Sequence, residues 1–189
     1  MYTSIKIKDL LSGVNVIDMG NADENLTVSG VTSNNGKVDK NFAFIAIAGT
    51  RFDGHTFIND AAEKGAVCAV VEYVPENCKI PCIVVDDTRL ASAYIYSNAF
   101  GNPEKSMKII GVTGTNGKTS TVFMLEKIFS DAGYRTGLLG TVKNMWCGKS
   151  REASLTTPVP EDLYDMFAQM RDEGVVRKKK SVKVKNFME

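Results

Sequence analysis

The sequence predicts an α/β fold with a parallel β-sheet, arranged as two consecutive domains. Short apolar runs of strand type alternate with segments whose apolar residues have helical spacing, an order typical of parallel sheets. Gly101-Asn102-Pro103 interrupts the chain near its middle, and a new apolar run begins after it. A length of 189 residues is enough for two small domains. We therefore expect one domain at residues 1–105 and another at residues 106–189.

Elements of the first domain are predicted from apolar runs that lie between turn residues. Residues Thr27–Thr32 alternate as a strand does, and the Asn-Gly pair that follows favours a turn with positive φ. A helix with apolar residues from Phe57 onward ends at Gly65 as its C-cap, and a second helix runs from the N-cap Asp87 to about Phe100. A nearly continuous apolar run at residues 42–47 predicts a strand that is covered on both faces, and residues 67–71 and 80–85 predict two more apolar strands.

The second domain is predicted to begin with a strand, continue through a glycine-rich loop and enter a helix. Apolar residues at helical spacing place that helix between about Lys118 and Ala132, and Gly133 follows as a C-terminal signal. The other expected elements are strands at Met107–Val112 and Thr136–Val142 and a helix from Leu163 to about Asp172.

Composition limits the classes of partner. Lys plus Arg is 23 against 22 for Asp plus Glu, and such a near-neutral chain gives no reason to expect nucleic acid or a membrane surface. The apolar runs are too short for a membrane-spanning helix. The first residues lack a signal-peptide pattern, which predicts a cytoplasmic protein. The sequence does not predict the oligomeric state.

Cysteine and histidine are too few for most metal or nucleophilic sites. The four cysteines are expected to be reduced thiols. Cys78 and Cys82 flank Pro81 at a spacing that could hold a metal, yet the chain has no second Cys/His pair to complete four ligands. His55 is the single histidine, which largely excludes histidine-based triads and multi-histidine metal sites.

A glycine-rich loop between the predicted strand and helix is the strongest candidate site. It reads Gly-Val-Thr-Gly-Thr-Asn-Gly-Lys-Thr-Ser, from Gly111 to Ser120. Glycines let the main chain come close to phosphate oxygens, and amides at a helix N-terminus attract anions. Lys118 supplies a positive charge for the β- and γ-phosphates of ATP, and Thr119 offers a hydroxyl to Mg²⁺. The expected nucleotide-binding residues are Gly114, Thr115, Asn116, Gly117, Lys118, Thr119 and Ser120.

The loop is a variant of the common phosphate-binding pattern. That pattern has glycine five positions before Gly117, where this chain has Val112. The structural alternative is a glycine-rich turn with an incidental lysine. Gly-Lys-Thr-Ser between a strand-type run and an amphipathic helix favours the nucleotide loop.

At these residues the chain resembles a known family. Gly114–Ser120 after an apolar strand resembles the ATP-binding signature of the Mur ligases and their folylpolyglutamate synthetase relatives. Leu155-Thr156-Thr157-Pro158 resembles the Thr-Thr-Pro segment of Mur ligases of the MurE type, and Leu138–Val142 also fits their pattern. Gly49–Ile58 is similar to the loop that meets the uridine end of the substrate in the MurE and MurF N-terminal domains.

The resemblance implies a fold and a reaction. The expected architecture is a small N-terminal α/β domain that binds a UDP-sugar, followed by the start of a P-loop parallel-sheet ATPase domain. ATP and Mg²⁺ would convert the D-glutamyl carboxylate of UDP-N-acetylmuramoyl-L-alanyl-D-glutamate to an acyl phosphate, which the amine of an incoming amino acid displaces. Lys118 would be catalytic, Thr119 would contact Mg²⁺, and Thr156 and Thr157 would bind the UDP-muramoyl substrate.

Two segments depart from the family pattern. Asn34-Asn35-Gly36 stands where the family commonly has Asp-Ser-Arg before a Lys-Val pair. After Gly174 the family pattern gives way to a lysine-rich segment from Val175 to the last residue, Glu189. We therefore expect a partial and inactive form of a longer ligase.

Other functions remain open at this point. Another Mur ligase or a folylpolyglutamate synthetase-like enzyme shares the nucleotide loop, whereas Asp53-Gly54-His55 and Thr156-Thr157-Pro158 favour the MurE type. A non-catalytic module that binds a nucleotide or a UDP-sugar is an alternative of a different class. The sequence does not decide whether the added amino acid is diaminopimelate or lysine.

Overall fold

The computed structural model describes residues 4–49, 52–153 and 158–175, which group into two compact units. Of these residues, the first unit contains those up to Pro103 together with Pro158–Ala168, and the second contains the others. Among the described helices, none combines the length and the apolar character needed to span a bilayer.

A five-stranded sheet forms the centre of the first unit. Its elements in chain order are β1 (Ile5–Lys6), α1 (Ile7–Leu10), β2 (Val16–Asp18), β3 (Thr27–Val28), β4 (Gly30–Thr32), β5 (Phe42–Ile45), α2 (Ile58–Lys64), β6 (Ala66–Val71), β7 (Cys82–Val85) and α3 (Thr88–Ala99). The strand order is β2-β7-β6-β5-β4, with β4 to β7 parallel and β2 antiparallel beside β7. Strands β1 and β3 form a separate antiparallel pair. The predicted α/β class with a parallel sheet is confirmed.

Both faces of this sheet are buried. Successive residues of a strand point to opposite faces, and Ala43 and Ile45 of β5 lie in one core cluster while Phe44 lies in the other. The first cluster also contains Cys68, Val70, Ile83, Ile95 and Tyr96, and the second contains Ala46, Ile58, Ala61, Ala69, Val71 and Cys82. The continuous apolar runs are thus explained by burial on both faces, as predicted for residues 42–47.

Two local signals set the helix ends as expected. Gly65 ends α2 with φ +113°, and a Cβ there would lie 2.8 Å from Lys40 Cα, so both conformation and space require glycine. Asp87 begins α3, because its carboxylate accepts a hydrogen bond from the Leu90 N–H at 2.9 Å.

The predicted strand Thr27–Thr32 is divided in the structure. Thr27–Val28 pairs with β1, whereas Gly30–Thr32 joins the main sheet beside β5. Ser29 marks the change of partner, since its N–H donates to Asn41 O and its hydroxyl donates to Lys40 O. Alternating sequence alone does not reveal that the two ends of one extended segment pair with different strands.

The second unit is built from α4 (Lys118–Asp131) and a three-stranded antiparallel sheet. Its strands are β8 (Gly137–Leu138), β9 (Lys143–Trp146) and β10 (Lys149–Glu152), in the order β10-β9-β8. Helix α5 (Pro160–Asp172) comes next in the chain, and its residues up to Ala168 belong to the first unit. The helix predicted at 118–132 is confirmed, and the predicted strand at 136–142 is limited to the two residues of β8.

The predicted strand Met107–Val112 is wrong. Those residues have no regular structure, and Ile109 and Ile110 are 54% and 49% exposed. An extended segment becomes a strand only when a neighbour pairs with it, and no described strand does so. The parallel pairing expected for the second domain is therefore not found among its described residues.

Replacing Asp87 with Ala should lower the free energy of unfolding by about 1 kcal/mol, because the first turn of α3 loses its side-chain cap. Urea denaturation of the full chain measures this. Asp86→Ala is the matched control, since Asp86 makes an exposed hydrogen bond to Asn15 and does not cap the helix. Equal losses in the two variants would contradict the capping role.

Candidate functional site

The glycine-rich loop lies exposed at the N-terminus of α4. Residues 114–117 form a bend that leads directly into the helix at Lys118, and all four are exposed. Because α4 extends over 14 residues, its first N–H groups and its dipole present partial positive charge at this end. The predicted residues Gly114–Ser120 are thus together at one helix terminus.

Two glycines of the loop have backbone conformations that disfavour other residues. Gly114 has φ +143°, and Gly117, the N-cap of α4, has φ +79°. A Cβ at Gly117 would meet no atom within 4 Å, and one at Gly114 would meet only Asn116 O at 3.7 Å. The main chain therefore borders open space through which an anion can approach its amides.

Lys118 turns its ammonium back over the loop. Its Nζ donates a short hydrogen bond to Gly114 O and lies 3.4 Å from Thr115 O. A full positive charge is thus held beside the helix N-terminus rather than directed along the helix. Such a site binds an anion of several charges better than a neutral ligand.

The hydroxyl residues of the first helical turn complete this site. Thr119 and Ser120 are exposed, so their hydroxyls are accessible to a ligand or to a hydrated cation. Across the described residues, no three His, Cys, Asp or Glu side chains are grouped as a metal site requires. Mg²⁺ would fit here only with Thr119 as one ligand and with phosphate oxygens and water as the others, which is how this ion is commonly held.

A second polar region lies at the carboxyl ends of the parallel strands. Ligands of open α/β sheets bind at this edge. His55 Nδ1 is 2.6 Å from Asp53 Oδ1, and His55 Nε2 accepts the Glu72 N–H at 3.0 Å. Because Nε2 accepts, the ring proton resides on Nδ1 and is donated to Asp53.

Tyr73 completes this arrangement and was not identified from the sequence. Its ring stacks on His55 with centroids 4.1 Å apart, and its hydroxyl donates to Asp53 Oδ2 at 2.5 Å. The Tyr73 hydroxyl, then the N–H and ring of His55, lower the pKa of Asp53 from 3.8 to about 2. Asp53 therefore provides a fixed carboxylate at neutral pH at this edge of the sheet.

A third group of polar residues surrounds Glu161 at the start of α5. Its carboxylate accepts hydrogen bonds from Thr32 Oγ1 and Tyr96 Oη, both at 3.2 Å, and pairs with Lys37 Nζ at 2.8 Å. The side chain of Glu161 is only 15% exposed. The hydrogen bond to Glu161 raises the pKa of Lys37, and the buried Tyr96 hydroxyl also accepts the Ser33 N–H at 2.8 Å.

Glu161 lies beside the segment where the family pattern is lost. Asn34 caps the short 3₁₀ turn Asn35–Lys37 by accepting the Gly36 N–H. Lys37, the last residue of this turn, donates to the carboxylate of Glu161, 124 positions later in the chain. No sequence signal could have identified this pair, because the two residues come together only through the fold. Thr156 and Thr157, the predicted substrate-binding residues, lie outside the described residues.

Comparison with protein families matches two consecutive parts of the chain. The model for the Mur ligase family, catalytic domain, matches residues 27–116. The model for the Mur ligase middle domain matches residues 112–177. Together they include the three polar regions described above.

Two similar proteins have the same name. A UDP-N-acetylmuramoyl-L-alanyl-D-glutamate--2,6-diaminopimelate ligase of Clostridium perfringens is 41% identical over 170 residues, which are 89% of this chain and 35% of the relative. The protein of the same name from Aquifex aeolicus is 47% identical over 131 residues, 69% of this chain and 27% of the relative. The chain thus spans about a third of the length of the curated relatives it matches.

Solved structures show the same fold. A structure of UDP-N-acetylmuramoyl-L-alanyl-D-glutamate--2,6-diaminopimelate ligase matches with a TM-score of 0.72 at 20% identity, over 92% of this chain and 35% of that one. MurF from Acinetobacter baumannii matches with a TM-score of 0.54 at 22% identity, over the same shares. With the family matches and the sequence relatives, these findings identify the chain as a member of the Mur ligase family.

Proposed function

We propose that this chain provides the UDP-substrate-binding and ATP-binding parts of a ligase that adds diaminopimelate to UDP-N-acetylmuramoyl-L-alanyl-D-glutamate. The observation that carries the proposal is the exposed loop Gly114–Gly117, which leads into α4 with the Lys118 ammonium held over it. The names of the relatives support the choice of amino acid. We assign residues 1–105 to substrate binding and residues 106–189 to ATP binding. Such a ligase would work in the cytoplasm, where ATP is available.

The loop is suited to the triphosphate of ATP. Residues Gly114 to Gly117 are all exposed, a Cβ at either glycine would meet no atom closer than 3.7 Å, and positive φ at both glycines turns the main chain tightly. Lys118 would exchange its contacts with loop carbonyls for the β- and γ-phosphate oxygens. As the γ-phosphoryl group moves to the D-glutamyl carboxylate, the ammonium stabilises the charge that develops.

Mg²⁺ would be held by Thr119, phosphate oxygens and water, with Ser120 beside it, and it would supply further charge neutralisation. Thr156 and Thr157 would hydrogen-bond the UDP-muramoyl substrate and hold its carboxylate in line with the γ-phosphate. The amine of the amino acid then attacks the acyl phosphate carbon, forms the amide bond and releases phosphate.

The carboxyl edge of the parallel sheet is suited to the nucleoside end of the UDP-sugar. Asp53 is an anion that accepts hydrogen bonds from Tyr73 and His55, and a fixed carboxylate repels a diphosphate but accepts from an imide N–H or a ribose hydroxyl. Since His55 is buried and holds the loop through Asp53 and Glu72, we assign it to positioning rather than to chemistry.

A binding module without ligase activity is the second candidate. It needs only the exposed loop before α4 and the hydrogen-bonded Asp53 at the carboxyl edge of the sheet, and both are present. In that case the same two ligands bind, but no phosphate is released. The two candidates therefore differ in turnover and share their binding sites.

Calorimetry of the full chain with ATP·Mg²⁺ and with UDP-muramoyl dipeptide is expected to show binding of both. Phosphate release after diaminopimelate is added would support the ligase, and binding without release would support the module. Both candidates would be contradicted if ATP·Mg²⁺ or UDP-muramoyl dipeptide failed to bind.

Exchange of Lys118 for Ala should weaken ATP·Mg²⁺ binding by roughly tenfold or more, because a charge-assisted hydrogen bond to phosphate is lost. Lys127→Ala is the matched control, since Lys127 lies on the same helix and forms an exposed ion pair with Asp131. Calorimetry gives both affinities, and circular dichroism confirms that each variant is folded. Unchanged affinity in Lys118→Ala would remove this residue from the site.

The ionisation of Asp53 should affect stability only in acid. Its pKa is depressed to about 2 in the folded chain from 3.8, so its contribution is present above about pH 4 and is lost as the pH falls toward 2. Tyr73→Phe removes the largest cause of the shift, and the Asp53 pKa should rise. NMR titration of the Asp53 carboxyl measures the value in both forms. A pKa that stays near 2 in Tyr73→Phe would show that the hydroxyl is not the cause.

A further inference from the structure

A pair of cysteines lies at the amino end of β7, the opposite edge of the sheet from the carboxyl ends. Cys78 Sγ and Cys82 Sγ are 2.9 Å apart. Both thiols also face the carbonyl oxygen of Ile80, at 3.2 and 3.6 Å. Only a small movement separates the two sulfurs from bonding distance.

The turn that carries Cys78 is held in place by α2. The Asn59 side chain of this helix donates to Asn77 O at 3.2 Å and accepts the Lys79 N–H at 3.0 Å. Asn77 itself has a positive φ of 59°. Both chain neighbours of Cys78 are therefore fixed, and its thiol is directed at Cys82 by the fold rather than by chance.

The two thiols differ in exposure. Cys78 is half-buried, whereas Cys82 is 6% exposed and belongs to the second core cluster. Burial is the main cause that raises the pKa of Cys82 to about 12, which leaves it protonated at neutral pH. An oxidant from solvent therefore meets Cys78 first, and Cys82 can act only on a sulfur already beside it.

We propose that Cys78 and Cys82 form a reversible dithiol–disulfide site that reacts with small external disulfides. The Cys78 thiolate attacks one sulfur of the external disulfide, forms a mixed disulfide and releases one thiol. Cys82 then loses its proton, attacks the Cys78 sulfur and releases the second thiol. Two cysteine thiols are oxidised, and one external disulfide is reduced to two thiols.

The internal bond closes the turn from Cys78 to Cys82. It would tie the first residue of β7 to the turn that α2 already holds, so it would restrict the unfolded chain. The other two cysteines are differently placed. Cys68 is buried in the first core cluster, and Cys147 is exposed in the second unit.

The test uses the full chain with Cys147→Ser, which removes the exposed thiol, and oxidised glutathione as the probe. The expected product has lost about 2 Da, since two hydrogens leave, and only Cys68 still reacts with iodoacetamide after denaturation. Trypsin cleaves after Lys79, inside the ring, so the Cys78 and Cys82 peptides should remain joined until dithiothreitol separates them. Failure to form this bond, or a stable glutathione adduct on Cys78, would overturn the proposal.

Two variants in the same background separate the steps. Cys78→Ser should lose the internal bond, whereas Cys82→Ala should stop at a glutathione adduct on Cys78. Circular dichroism checks that each variant is folded. Either variant alone tests the order of reaction, so the test still stands if one of them misfolds. If Cys82 is oxidised to the same extent in Cys78→Ser as in the Cys147→Ser parent, Cys78 is not the first nucleophile.

Discussion

Parallel pairing of β4 to β7, with both faces buried, is the constraint on which the rest of the first unit depends. Between two parallel strands, the connection carries the chain from the carboxyl end of the first strand back to the amino end of the second. The carboxyl ends of β4, β5 and β6 therefore lie at one edge, and Thr32, His55 and Glu72 are placed there from distant parts of the chain. A site at this edge is a consequence of topology before any side chain is considered.

Charge is distributed unequally between the two kinds of site. At the carboxyl edge, Asp53 and Glu161 are anions held by hydroxyl, imidazole and ammonium groups. At the loop before α4, the charges are the Lys118 ammonium and the positive end of a helix. The anionic edge suits the neutral hydrogen-bond donors of a nucleoside, and the cationic loop suits phosphates. The proposed UDP-sugar site and the proposed ATP site therefore differ in electrostatic potential.

Local sequence signals were enough to predict the helix ends and the glycine-rich loop. Gly65 and Asp87 act at helix ends through neighbours in the chain, and the loop before α4 is encoded by consecutive residues. Long-range partners could not be predicted: the Lys37–Glu161 pair and the Tyr73 stack on His55 depend on the fold. The strand expected at Met107–Val112 was wrong for a related reason, because periodicity gives a tendency to extend but not the neighbour that pairs.

Helix α4 is much more exposed to solvent than the central strands. None of its residues is buried, and Met124 and Ile128 are 59% and 62% exposed, whereas β5 and β6 have neighbours on both sides and side chains in both core clusters. Backbone amides open in proportion to the contacts that must be broken. Deuterium should therefore enter the amides of the phosphate-loop helix long before those of the central strands, so the segment proposed to meet ATP is also the one that local fluctuations reach most readily.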